Sequence, residues 1–195
     1  MAHEDFYEEL TILHKQYGMP RRIEFAMEMI PEEFALVQRS VESGRRHDVT
    51  IFIQHQGQFV VIEKHAYANT GIVRAPSGGA MPSEDLITAA KREAREETGF
   101  DVEIERFVLE SHVLLSCCDQ PSVPWVSYVF LARVIGGQLG AEDLKEISGV
   151  HLRTRQELLK DVGPLMVASE LGGFKYRAKM TEAFFEELDA LGIVI

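Results

Sequence analysis

The sequence predicts a mixed α/β or α+β fold, in which helices cover the faces of one sheet. Strand-like runs of β-branched and aromatic residues occupy residues 48–64 and 102–135. Apolar residues recur at helical spacing near both ends of the chain, in residues 4–17 and 175–191. A further helical stretch, residues 84–98, stands between the two groups of strands. This succession of elements is typical of a layered domain.

The composition indicates one ordinary globular domain with additions. The chain has 195 residues, of which 46% are apolar and 26% are charged, and this is enough for a sizeable core. It contains no apolar run long enough to cross a bilayer. Residues 1–10 are acidic and amphipathic, unlike a secretory signal or a transit peptide. We therefore expect a cytoplasmic protein without a membrane partner.

The formal net charge of −11 bears on the partners that the surface can bind. A nucleic-acid polymer requires Lys and Arg against its phosphates, so this class of partner is not expected. A small phosphorylated substrate is compatible with the charge, because a bound metal ion can invert the local field. The adjacent Cys117 and Cys118 have no partners at zinc spacing, which argues against a zinc site.

We predict that residues 1–46 form an N-terminal helical extension and that residues 47–195 form the main domain with its C-terminal helix. Amphipathic helices usually bury their apolar stripe, so the extension is expected to pack on the core or on a second copy of the chain. Its predicted elements are a helix over 4–17, a strand over 22–30 and a second helix over 31–44.

In the main domain, Gln56-Gly57 separates two strand-like runs and predicts a hairpin. A loop rich in Gly and Pro follows over residues 66–83. The elements predicted beyond the central helix are strands over 102–116 and 123–135, a short strand around Val150, a helix from Thr154 with a capping box to Glu157, a loop over 163–174 and a last helix over 175–191.

The central helix is predicted over residues 84–98. Ser83 is a good N-cap, and acids in the first turn suit the helix dipole. Gly99 suits the position after the last turn, where the backbone commonly turns left-handed.

Three acids of this helix lie beside its apolar face. Glu93, Glu96 and Glu97 follow i, i+3, i+4 spacing, which brings their side chains within reach of one another. Glu97 projects within the face that contains Leu86 and Ala94. Like charges that are crowded and partly buried destabilise a helix unless a partner compensates them. The arrangement predicts a hard divalent cation with oxygen ligands.

The segment around this helix resembles the Nudix box, GX5EX7REUXEEXGU, in which U is a bulky apolar residue. Gly78, Glu84 and the run 92–100 match every fixed position. Ala94 is smaller than the usual residue at its U position, which affects packing more than chemistry. The resemblance implies a Nudix-like α/β/α sandwich with a mixed sheet, extended by the N-terminal helices.

The resemblance also implies an enzyme, a Nudix pyrophosphohydrolase acting on phosphorus-containing acid anhydrides. Such an enzyme would hydrolyse a pyrophosphate bond in a nucleoside diphosphate derivative, nucleotide-sugar or ADP-ribose-like, with Mg²⁺ or Mn²⁺ as cofactor. The residues agree with this chemistry, because a hard cation held by the acids would neutralise a pyrophosphate and activate a water.

The resemblance assigns roles to the charged residues of the helix. Glu93 and Glu97 would be metal ligands, and Glu96 would be a ligand or the general base. Arg92 would orient the acids through an ion pair. Glu84 stands at the helix start, where capping and an auxiliary metal role are both open.

Residues outside the helix complete the expected site. The backbone of Gly78 and Gly79 would approach the metal or a phosphate closely. A further acid often comes from a loop after the box. Of Glu142, Asp143 and Glu146, we prefer Glu146 because it directly precedes the last predicted strand.

The sequence says little about the substrate. In this family, residues shortly after the box mark the substrate. Residues 109–120 contain no Pro, which weakens an assignment to ADP-ribose, and no Tyr, which weakens an assignment to dinucleoside polyphosphates. Arg74 is expected to reach a phosphate or, alternatively, to be solvated. Trp125 is expected to stack a base or, alternatively, to pack in the core.

Two other functions stay open. The same residues would serve a nucleoside triphosphate pyrophosphohydrolase that removes damaged nucleotides. A non-catalytic ligand sensor on this fold is the third reading, because a fold does not by itself determine a function. By analogy with the family we also expect a homodimer.

Overall fold

In the computed structural model, which describes residues 3–45, 47–81 and 84–195, one seven-stranded mixed sheet carries helices on both faces. The helices are α1 (His3–Tyr17), α2 (Pro31–Glu42), α3 (Leu86–Thr98), α4 (Arg155–Glu157), α5 (Gly163–Ala168) and α6 (Gly172–Ala190). The strands are β1 (Arg21–Glu28), β2 (His47–His55), β3 (Gln58–Lys64), β4 (Ser77–Gly78), β5 (Phe100–Ser116), β6 (Val123–Gly137) and β7 (Ile147–Arg153). A 3₁₀ turn (His65–Tyr67) follows β3, and a π-helical turn (Leu158–Val162) joins α4 to α5.

The sheet has the strand order β1-β5-β6-β2-β3-β7, and the short β4 pairs with β2. β1 is parallel to β5 and β2 is parallel to β6, whereas the other pairs are antiparallel. The predicted hairpin is confirmed, because Gln56 and Gly57 both have the positive φ that a two-residue turn requires. The predicted mixed-sheet α/β (α+β) class is therefore confirmed.

Each face of the sheet has its own apolar core. The face under α2, α5 and α6 is centred on aromatic rings, and Phe52 stacks on Phe184 at 3.8 Å between centroids. The opposite face lies under α1 and α3, where Leu13 and Ala90 are buried against Phe130. No helix in the described part of the chain is both long and apolar enough to span a membrane.

The N-terminal segment contributes to both cores and to the sheet. β1 forms one edge, with Ile23 opposite Ser111 of β5. Leu13 of α1 and Phe34 of α2 are buried on opposite faces. Residues of the predicted extension thus lie within the layers that the rest of the chain forms.

The central helix begins later than the sequence predicts. Its N-cap is Asp85, whose carboxylate accepts a hydrogen bond from the Thr88 backbone N–H, and its first residue is Leu86. Ser83, the predicted N-cap, lies outside the described residues. The predicted end is confirmed, since Gly99 has φ +75°.

The loop predicted over residues 163–174 is wrong, because this segment is mostly helical. Pro164 lies just after the π-helical turn, in a helical stretch that runs without a break from α4 through α5. Met166 is buried against the sheet. Glu33 of α2 accepts the backbone N–H of Gly172 and so starts α6 earlier than its own sequence indicates.

Candidate active site

Gly78, the last residue of β4, and the following Gly79, together called the glycine loop, lie directly against two side chains of opposite charge. A Cβ atom at Gly78 would lie 2.0 Å from Oε1 of Glu93, and a Cβ atom at Gly79 would lie 2.1 Å from Nε of Arg45. Real Cβ atoms do not approach other heavy atoms so closely. A side chain at either position would force the Glu93 or Arg45 side chain to move, and the predicted approach of this backbone to a metal or a phosphate stays a prediction.

Arg92 connects the acids of the site to this loop. Its Nε lies 2.9 Å from Oε1 of Glu84. Its Nη1 lies 2.9 Å from Oε1 of Glu93 and 2.9 Å from Oε2 of Glu96. Its Nη2 donates to the carbonyl of Gly79 at 2.9 Å. One guanidinium thus contacts three carboxylates and one loop carbonyl, and the orienting role that the family resemblance implies stays a prediction.

Glu84 pairs with Arg92 and does not cap α3. The hydrogen bond from Arg92 lowers the pKa of Glu84. The same carboxylate accepts the backbone N–H of Met81 at 2.8 Å. The capping role belongs to Asp85, so Glu84 ties the end of the loop to the middle of the helix.

Glu97 is buried at the bottom of the site, as its place on the apolar face predicts. Its relative exposure is 4%. Its Oε2 accepts the Ser77 backbone N–H at 2.8 Å. Its Oε1 lies 3.1 Å from Nζ of Lys64 and 3.6 Å from Nη2 of Arg74. Three partners on different elements therefore hold this carboxylate in one position.

Glu93 has the environment of a carboxylate that needs a further cation. Burial raises its pKa, and the charges of Glu97 and Glu96 raise it further, although Arg92 acts in the opposite direction. A positive ion at this position would favour the ionised form of Glu93.

The carboxylates of the site are partly compensated by internal cations, which corrects the expectation that they lack partners. Five carboxylates form ion pairs with three cations, and Arg45 against Gly79 and Arg177 on the Ser77 hydroxyl add two further positive charges nearby. The carboxylates are those of Glu84, Glu93, Glu96, Glu97 and Glu146, and the cations are Arg92, Lys64 and Arg74.

Within the described ranges, no three Asp, Glu, His or Cys side chains already converge on a point that would hold a metal ion. The donor chemistry nevertheless fits Mg²⁺ or Mn²⁺, since the available atoms are carboxylate and carbonyl oxygens. The raised pKa of Glu93 supports the same fit.

The acidic loop after β6 reaches the site, as predicted. Glu146 pairs with Lys64, the same ammonium that contacts Glu97. The backbone N–H groups of Glu142 and Asp143 donate to the carbonyl of Glu96 at 2.8 and 2.9 Å. Of the three loop acids, Glu146 is the one that the structure brings to Glu97.

Arg74 is not solvated, so that alternative is wrong. Its relative exposure is 7%, and it donates to the hydroxyl oxygens of Tyr67 at 3.1 Å and Ser77 at 2.6 Å. Arg177 of α6 donates to the same Ser77 hydroxyl at 3.1 Å. Burial and the neighbouring Arg74 lower the pKa of Arg177 to about 10.

Trp125 of β6 is partly exposed and packs against the core under α2 and α6, as the second alternative predicts, whereas base stacking stays a prediction. The guanidinium of Arg45 lies over its ring, 5.9 Å from the centroid. Arg45 also lies against Gly79, so it contacts both the Trp125 ring and the backbone of Gly79.

Sequence reasoning missed Lys64, Arg45 and Arg177 at this site. Each comes from an element distant in sequence from α3, and none stands in a recognisable spacing. Lys64 carries one indirect signal, since it ends the strand that pairs with β7, next to the preferred Glu146.

Comparison with known proteins agrees with the geometry of this site. The NUDIX domain model matches residues 44–168, more than half of the chain. The chain belongs to the Nudix family.

Two relatives are similar to part of the chain. The 8-oxo-dGDP phosphatase NUDT18 of Homo sapiens is 32% identical over 91 residues, and that of Mus musculus is 29% identical over 91 residues. Each alignment covers 47% of this chain and 26% of the relative. The chain therefore spans about a quarter of the length of these relatives.

Solved structures of low sequence identity share the fold. A NUDIX hydrolase from Nitrosomonas europaea has a TM-score of 0.54 at 17% identity, over 77% of this chain and 96% of that chain. A UDP-X diphosphatase has a TM-score of 0.53 at 16% identity, over 82% of this chain and 71% of that chain. The MutT protein from Methanosarcina mazei Go1 has a TM-score of 0.51 at 19% identity, over 73% of this chain and 94% of that chain.

Proposed function

We propose that this protein is a metal-dependent pyrophosphohydrolase acting on a nucleoside diphosphate derivative, of the nucleotide-sugar or ADP-ribose-like kind. The observation that carries the proposal is the glycine loop held over Glu93 and tied to Arg92. In this arrangement the loop backbone lies directly against the Glu93 carboxylate, whose raised pKa a bound cation would lower. Membership of the Nudix family supports the same reaction class.

Mg²⁺ or Mn²⁺ would be held by Glu93 and Glu97, with Gly78 contributing its carbonyl and Glu146 serving as a further ligand. The bound ion supplies charge neutralisation for the pyrophosphate and acidifies a water. Arg92 keeps the helix acids in one orientation by holding Glu84, Glu93 and Glu96 together.

Glu96 is proposed as the general base. Its side chain is 42% exposed, compared with 14% for Glu93 and 5% for Glu97. A base must reach the proton that it takes from water, and only this carboxylate of the three is open to solvent. Arg92 is the residue that fixes its direction.

The substrate-binding residues are proposed on the Gly79 side of the loop. Gly79 would present its backbone to a phosphate, and Trp125 would contact the base. Arg74 is the third substrate-binding residue that the sequence predicts. Because its guanidinium faces Glu97 and Ser77, its proposed effect on a phosphate is at longer range.

A second candidate function is hydrolysis of a damaged nucleoside di- or triphosphate. The 32% identity to the 8-oxo-dGDP phosphatase, over 91 aligned residues, favours this second candidate. The product pair separates the candidates. A nucleotide-sugar yields two monophosphates, a triphosphate yields a monophosphate and pyrophosphate, and a diphosphate yields a monophosphate and phosphate.

The experiment is a panel of nucleotide-sugars, ADP-ribose, and ordinary and oxidised nucleoside di- and triphosphates, with Mg²⁺ or Mn²⁺ and chromatographic identification of products. Glu97→Gln is expected to lower turnover by about 10²–10⁴-fold. Glu182→Gln, an exposed residue of α6 without an ion pair among the described residues, is the matched control. Absence of turnover with every substrate, or unchanged turnover in Glu97→Gln, would contradict the proposal and favour a non-catalytic ligand sensor.

The homodimer and the cytoplasmic location stay predictions. Sedimentation of the full chain at several concentrations tests the first, and cell fractionation tests the second. A single species of monomer mass would contradict the homodimer.

A further inference from the structure

Arg45 lies between the glycine loop and the single tryptophan of the chain. Its Nε would be 2.1 Å from a Cβ atom at Gly79, so the guanidinium is packed against the bare backbone there. The centre of the same guanidinium is 5.9 Å from the centroid of the Trp125 ring. Arg45 follows α2, whereas Trp125 belongs to β6, and the loop brings the two segments together.

The positive charge of Arg45 has no acidic partner among the residues that the structure describes. Arg92, Arg74 and Arg95 each pair with at least one carboxylate at 4.0 Å or less, but Arg45 does not. Its Nε is buried and donates no hydrogen bond to any residue within 3–45, 47–81 and 84–195. A buried donor without an acceptor costs free energy, and a ligand oxygen would satisfy it.

Charges of opposite sign therefore lie under consecutive residues of one loop. The Glu93 carboxylate lies under Gly78 and the Arg45 guanidinium lies under Gly79. Consecutive Cα atoms are about 3.8 Å apart, a separation that one pyrophosphate group can span. Arginine presents planar, parallel N–H donors that match phosphate oxygens.

We propose that Arg45 binds a phosphate of the substrate on the Gly79 side, while the acids and their metal ion take the Gly78 side. This role of Arg45 rests on the proposed hydrolysis of a pyrophosphate bond, for which Arg45 would bind the substrate. Arg45 leaves the Trp125 ring when it engages the phosphate, and the face of the ring becomes available to the rest of the substrate. Trp125 is the only tryptophan, so its emission reports this movement.

The test uses inorganic pyrophosphate with Mg²⁺ as the probe, since it contains no base and needs no turnover. Affinity is measured by calorimetry, and Trp125 emission is followed in a parallel titration. Arg45→Met is expected to weaken pyrophosphate binding by about 10- to 100-fold, the effect of losing a charge-assisted hydrogen bond. Arg45→Lys, which keeps the charge without the planar donors, is expected to give an intermediate loss.

Arg39→Met is the matched control. It removes the same charge from the exposed side of α2, where the Arg39 side chain donates to the Ala35 carbonyl of its own helix and to no other described residue. This variant is expected to bind pyrophosphate within about twofold of the wild type and to keep the emission change. Thermal melting shows that each variant folds, and Arg45→Lys serves as the test if Arg45→Met does not.

Three results would overturn the inference: no pyrophosphate binding by the wild type, an Arg45→Met affinity within about twofold of wild type, or an equal loss in Arg39→Met. The inference and the proposed function fail separately. Turnover of a panel substrate with an unchanged KM in Arg45→Met refutes the role of Arg45 alone. Loss of pyrophosphate binding in Arg45→Met, without turnover of any panel substrate, refutes the hydrolase alone.

Discussion

Replacement of Gly78 by alanine tests whether the glycine loop sets the position of Glu93. The new Cβ atom would lie 2.0 Å from Cδ and Oε1 of Glu93, whereas ordinary van der Waals contact begins at 3.4 Å. The carboxylate or the loop must therefore move by about 1.4 Å. A misplacement of about 1 Å costs roughly 10²-fold in rate, which corresponds to about 2.7 kcal/mol in the activation free energy.

The assay compares kcat/KM and Mn²⁺ affinity in the wild type, Gly78→Ala and Gly136→Ala. The control position lies in β6, and its added Cβ atom would meet nothing closer than Oδ2 of Asp101 at 3.3 Å. We expect the loss only in Gly78→Ala, together with a decrease of about 1–3 kcal/mol in the free energy of unfolding. A Gly78→Ala enzyme with kcat/KM within about threefold of wild type, or an equal loss in Gly136→Ala, would refute the reasoning.

Three further predictions concern the helix that carries the acids. Burial raises the pKa of Asp85, but hydrogen bonds from Thr88 outweigh it and lower that pKa below 3.8. Asp85→Ala should therefore destabilise the fold by about 1 kcal/mol at neutral pH, and urea titrations should show this difference disappearing as the pH falls through the lowered pKa. Glu9 of α1 accepts the first backbone N–H of α3 at 2.6 Å. Glu9→Ala should lower the free energy of unfolding by about 1–2 kcal/mol in denaturant titrations, and an equal effect of the exposed Glu8→Ala would contradict the specific contact. Mg²⁺ at about 100 times its dissociation constant should stabilise the wild type by about 2.7 kcal/mol in thermal melts, and an equal gain in Glu97→Gln would contradict the assigned ligand.

The acids of the site could be predicted from the sequence because they belong to one helix. A helical period fixes which side chains share a face, so Glu97 could be placed among alanines before the fold was known. The same period placed Glu93 and Glu96 next to it. The exact start of the helix could not be predicted, because acceptors for its first N–H groups come partly from Glu9 of a different helix.

The compensating cations could not be predicted, because they depend on the pairing of distant strands. Lys64 reaches Glu97 only because β3 and β7 pair at the end where the acidic loop arrives. Arg45 reaches Gly79 only when the end of α2 packs beside the loop. Local spacing carries no information on either contact. For the same reason, the sequence does not show that Lys64 and Arg74 compensate the charge of Glu97.

The parallel edge strand β1 limits how this chain can be shortened. It covers the backbone of residues 109–116 of β5 along their whole length. A chain that starts near residue 47 would expose this row of N–H and C=O groups as an open edge, which is a template for aggregation. A sedimentation measurement on such a truncated chain could not separate the loss of a homodimer from new association through the open edge. A single charge substitution on the outer face of α1 leaves β1 in place and therefore tests self-association without opening the sheet edge. Ile12→Glu is such a substitution, because Ile12 is 53% exposed.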